Sequence, residues 1–90
     1  MNASDRRKIA KLAKTAQNAL GVLEDLRSAI EEMVSDEESK YDNMCERGLE
    51  SSPMGEAIEE AMNALEEAFA EVDEAHTNLE SAITTMEELQ

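Results

Sequence analysis

His76 is the only histidine and Cys45 the only cysteine in this 90-residue chain. Asp73 stands three residues before His76, the acid-x-x-His spacing with which helical bundles hold paired metals. Asp73, however, belongs to the same seven-residue column as Glu59, Glu66, Glu80 and Glu87, which faces away from the apolar seam. The spacing therefore places no carboxylate inside, and no metal is expected. His76 itself falls in the seam, where it reads as a polar core position that fixes register or oligomeric state, as a buried Asn does in coiled coils. Its protonation would make assembly sensitive to mild acid. Cys45 has no second cysteine to pair with, so a disulfide framework is absent and a reducing compartment is expected. Beside it stand Glu46 and Arg47, opposite charges that do not activate a thiolate. His76 lies about 35 Å along the second helix, too far for a Cys and His nucleophilic pair within one hairpin. No glycine-rich phosphate loop, zinc-ligand set or Ser, His and Asp triad can be assembled. A protein without enzyme activity or cofactor is expected.

The other chemistry is charge. The chain has 22 acidic against 8 basic side chains, a net charge of -14, and no Lys or Arg after Arg47. Residues 1–23 carry +4, and the remainder carries -18. Two columns, Glu59, Glu66, Asp73, Glu80, Glu87 and Glu60, Glu67, Glu74, Glu88, form an acidic ridge on the second helix. Such a ridge keeps an apolar seam in solution. It also offers carboxylates where a nucleic-acid-handling protein expects phosphates, which makes Glu59, Glu60, Glu66, Glu67, Asp73, Glu74 and Glu80 the candidate partner-binding residues. One helix with two acids per heptad carries a charge about every 5 Å, against about 1.7 Å for duplex DNA, so only a surface built from several helices approaches the duplex density. Direct nucleic-acid binding does not fit so anionic a molecule.

The elements that must position these residues are helices, because Ala, Leu, Glu and Met dominate and there are only two aromatics. Apolar residues at Ile9, Leu12, Ala16, Ala19, Leu23, Leu26, Ile30 and Met33 alternate steps of three and four, the seam of a helix that packs along its length. Ala13, Leu20 and Val34 widen the stripe. After Val34 the seam meets Glu37 and Lys40, and Ser35 with Glu38 fits a capping box, so a continuous helix and a helix restarted near Ser35 are both open. Gly48 suits a left-handed C-terminal cap, Ser52 an N-cap and Pro53 a first helical position.

The expected organisation is one domain over 1–90: helix about 5–46, turn about 47–52, helix about 53–89. Such an antiparallel, coiled-coil-like hairpin has arms of about 60 and 55 Å. It sets the basic start of the first helix beside the acidic end of the second. In the second arm Ala61, Ala68 and Ala75 recur every seventh residue beside Met62, Phe69, His76 and Ile83, with Leu65, Val72 and Leu79 as the third column. A face that wide touches more than one neighbour, so these residues are the expected oligomer seam of a dimer forming a four-helix assembly. The apolar knob of Tyr41, Met44, Leu49, Pro53 and Met54 marks the turn. No apolar run approaches a membrane span or a signal h-region, and a cytoplasmic protein is expected.

The stretch Tyr41-Asp42-Asn43-Met44, then Leu49 to Glu56 and on into Ala57-Ile58-Glu59-Glu60-Ala61, resembles a segment of small acidic helical proteins encoded by bacteriophages, prophages and other mobile elements. The resemblance implies a small accessory protein working in a bacterial host cytoplasm, and it assigns no catalytic residue. Two functions are then expected as alternatives. One is a phage-encoded inhibitor of a host nucleic-acid-handling or defence protein, acting through the acidic, DNA-mimic-like face. The other is a structural or assembly coiled coil whose partner is itself or another helix.

Overall fold

Both helices begin where a side chain can accept an orphan N–H. Asn2 Oδ1 accepts from the Asp5 N–H at 2.9 Å, and Ser52 Oγ accepts from the Gly55 N–H at 3.1 Å. The computed structural model describes residues 1–90 as an all-α, two-helix hairpin, with α1 at Ala3–Glu46 and α2 at Pro53–Glu87. The Asn2 cap starts α1 at Ala3, two residues before the expected start near residue 5. At the far end Glu87 and Glu88 put negative charge on the negative end of the helix dipole, and the chain leaves α2 through the i→i+3 bonds of Leu89 and Gln90. No helix is long and apolar enough to cross a membrane.

The turn is built from backbone geometry. Gly48 takes φ 68°, the left-handed conformation that closes a helix. The Leu49 N–H then reaches the Met44 carbonyl at 2.8 Å and the Gly48 N–H reaches Cys45 at 3.0 Å, the paired bonds of a Schellman cap. Ser52 donates from both its N–H and its hydroxyl to the Leu49 carbonyl. Gly55, on the first turn of α2, lies so close to this loop that a Cβ would sit 2.5 Å from the Leu49 carbonyl oxygen and 2.6 Å from that of Glu50. The turn thus requires no side chain at residue 55.

The chain divides into two compact units, Met1–Leu26 with Val72–Gln90, and Arg27–Glu71. Within the first, Ile9, Ala13, Ala16, Leu20 and Leu23 of α1 and Val72, His76, Leu79, Ile83 and Met86 of α2 are buried or half-buried. Gln17 bonds Glu87 and Glu24 bonds His76, so sequence numbers run in opposite directions on the two helices. Within the second unit, Ile30, Val34, Tyr41 and Met44 are turned inward with Ile58, Met62, Leu65 and Phe69, and Tyr41 reaches Glu59.

The inward seam of α1 differs from the one its spacing suggests. Ile9, Ala16, Leu23 and Ile30 face inward as expected, but their companions are Ala13, Leu20 and Val34 rather than Leu12, Ala19, Leu26 and Met33. Ala13 is 2% exposed, whereas Leu12 is 59% and Met33 53% exposed. The physical reason lies beyond Val34. The column through Ala13 continues to Tyr41, beside the one that ends at Met44, whereas the column through Leu12 runs into Lys40. Glu37 fits the inward seam because Lys40 Nζ donates to its Oε1 at 2.9 Å, a bond that also raises the Lys40 pKa. α1 therefore runs through Ser35 as one helix.

Two glycine substitutions separate these requirements. Gly55→Ala forces the turn backbone to move and is expected to destabilise the fold by about 1–3 kcal/mol. Gly21→Ala, with nothing within 4 Å of its Cβ position, is expected to stabilise it by about 1 kcal/mol through helix propensity. Thermal unfolding followed by circular dichroism checks both.

Candidate functional site

Three arrangements carry chemical capacity, and each lies within one unit. In the first unit His76 is buried in the seam, with Nε2 3.1 Å from Glu24 Oε1 and Nδ1 3.1 Å from Glu80 Oε1. An ionised carboxylate only accepts, so both contacts are hydrogen bonds when both ring nitrogens carry a proton. The ring is held between the two helices, which suits a register pin. Asp73, the residue that sequence spacing pairs with His76, is not one of these partners. No three His, Cys, Asp or Glu side chains come together as a metal-binding group.

In the second unit Glu31, Val34, Glu66 and Phe69 line an open pocket of about 190 Å³. An apolar lining beside carboxylates suits an arginine or lysine side chain, whose stem packs while its charge meets the carboxylates. Nearby, Tyr41 donates to Glu59 Oε2 at 3.3 Å. Cys45 is an exposed free thiol.

The acidic candidates separate into two groups. Glu59, Glu66, Glu80 and Glu87 lie on the edge of α2 that meets α1, where Glu59 and Glu87 bond Tyr41 and Gln17 of α1 and Glu80 bonds His76 within α2. Asp73 shares that column. Glu60, Glu67, Glu74 and Glu88 follow them by one residue and are exposed. The expected oligomer seam separates likewise. Met62, Leu65, Phe69, Val72, His76, Leu79 and Ile83 are buried or half-buried in the hairpin itself, Ala68 is half-buried, and Ala61 and Ala75 are exposed.

The contacts in the first unit also identify an edge that the seam reading of α1 obscured. Gln17 meets Glu87, and Glu24 and Glu80 both meet His76, along one side. The residues that precede the inward column on each helix, Leu12 and Ala19 on α1 and Ala75 and Ala82 on α2, consequently share the other. All four are exposed. The signal is present in the sequence as a second set of alternating steps, 12, 15, 19, 22 and 26, without a charge among them.

The chain matches no family model, no curated protein and no solved structure.

Tyr41 offers a local test of the acidic edge. The charge of Glu59 first, then burial and the neighbouring Cys45, hold its phenol above the usual value near 10. The folded chain keeps this proton more tightly than the unfolded one, so the associated stability is lost as pH rises through the phenol's titration. With one Tyr and no Trp, phenolate absorbance reads the group directly. Its midpoint is expected above that of free tyrosine and to fall in Glu59→Gln.

Proposed function

We propose that this protein is a non-enzymatic protein-binding module, two hairpins joined in a four-helix assembly, that inhibits a host nucleic-acid-handling or defence protein. Its acidic edge stands where phosphates would lie, and the bacterial cytoplasm is its working compartment, as the resemblance to phage-borne proteins implies. The observation that carries this reading is the segregation of surface character within each unit. In the second unit Glu31 from α1 joins Glu59 and Glu66 from α2 on one edge, raising the charge density above that of a single helix. The notch between Glu31 and Glu66 accepts the kind of side chain a phosphate-binding surface projects.

A second reading, an assembly protein whose partner is another helix, is favoured by the exposed Leu12, Val22 and Leu26. The two readings differ in what neutralisation does. Glu60, Glu67, Glu74 and Glu88 point outward, so changing all four to Gln alters charge without touching the bonds to His76, Tyr41 or Gln17. Affinity capture from bacterial lysate at low and high salt is the measurement. A DNA-handling partner held at low salt, released at high salt and lost to the quadruple variant is expected. Undiminished capture both by that variant and by Glu31→Gln with Glu66→Gln, which neutralises the notch, would sink the inhibitor reading.

A further inference from the structure

We infer that the edge carrying Leu12, Val22 and Leu26 is the docking surface for a second copy of this chain, which seats its own α1 edge against the alanines of the partner's α2. The inference rests on the assembly proposed above and specifies the face that makes it.

The first observation is area. The chain exposes 6367 Å². A folded monomer of 10.0 kDa ordinarily exposes about 5,200 Å². The excess over the whole chain, about 1,100 Å², is more than the roughly 800 Å² that each partner contributes to a stable interface. Only three apolar residues are buried, and no large side chain is completely enclosed. The hairpin's own seam leaves this much surface in contact with water.

The second observation is where that surface lies. In the first unit Leu12, Val22 and Leu26 are 59%, 66% and 45% exposed. Together with Thr15 and Ala19 they repeat the alternating three- and four-residue steps of a packing seam. On α2 the corresponding edge holds Ala75 and Ala82. Large residues on one strip and small residues on the other are the size relation by which two helices approach closely. A two-fold axis satisfies it twice, because each copy offers one strip of each kind.

The third observation is that covering this edge leaves little polar debt. Thr15 Oγ1 donates to the Lys11 carbonyl at 3.1 Å, and Thr85 Oγ1 to the Ser81 carbonyl at 3.0 Å. Both hydroxyls are satisfied inside their own helices. The carboxylates of the unit's acidic columns stand on other faces. A water-excluding contact is therefore compatible with both hydroxyls.

Sedimentation equilibrium on the full chain tests this at tens of micromolar protein, with circular dichroism on each sample. The wild type is expected at twice the chain mass. Leu12→Gln with Leu26→Gln keeps two good helix formers at positions already open to water in the hairpin, and is expected to raise the dimer dissociation constant by about a hundredfold. Ala82→Gln projects a long side chain from the opposing strip and is expected to do the same without changing α1. A helical wild type that sediments as a monomer overturns both the assembly and this face. A dimeric wild type whose two helical variants remain equally dimeric overturns this face alone and leaves the assembly standing.

Discussion

An amphipathic helix can bury its apolar stripe only against a surface that something else supplies, and within this chain each helix has a single neighbour. The inward seam is consequently narrow: Ala13, Met44, Ile83 and His76 are the only residues of α1 and α2, apart from Gly55, that leave the solvent nearly completely. Stability of the hairpin is distributed along many half-buried contacts rather than gathered in a centre. That constraint explains why polar residues are tolerated in the seam. His76 and Glu37 occupy inward positions because their polar ends reach partners at the edge, Glu24 and Glu80 for one and Lys40 for the other.

The same constraint divides the outer surface. Once one stripe of each helix is committed to the other helix, the two edges beside the seam are free to differ. One is acidic and takes part in bonds across the hairpin; the other is uncharged over the span of Leu12 to Leu26. The acidic edge cannot approach another strongly anionic surface without repulsion, whereas the uncharged edge meets no such barrier.

Much of this architecture was legible in the sequence because its signals are local. Gly48, Ser52 and Pro53 announce the turn, since each has one backbone or capping role that few residues share. The alternating heptad spacing announces two helices. The inward stripe of α1 was less legible, because Leu12, Ala13, Ala19, Leu20, Leu26, Met33 and Val34 supply two overlapping seams, and only the position of α2 decides between them. Gly55 was opaque for a similar reason. Nothing in its neighbours reveals that a carbonyl from across the turn lies where its side chain would be. Among the acidic residues, the sequence distinguishes columns but not their partners across the hairpin, so the bonds of Glu59 to Tyr41 and of Glu87 to Gln17 emerge only when the two helices are set side by side.

The closed turn has a consequence for how the chain reaches its structure. Contacts across the hairpin join residues separated by 18 positions at Tyr41 and Glu59, by 52 at Glu24 and His76, and by 70 at Gln17 and Glu87. Loop closure costs more entropy as the loop lengthens, but only logarithmically, and a pair already closed shortens the effective loop for the next. The route of least entropic cost therefore starts at the glycine-built corner and proceeds outward, like a zip drawn from its fixed end. The basic beginning of the chain is the last part to find its place.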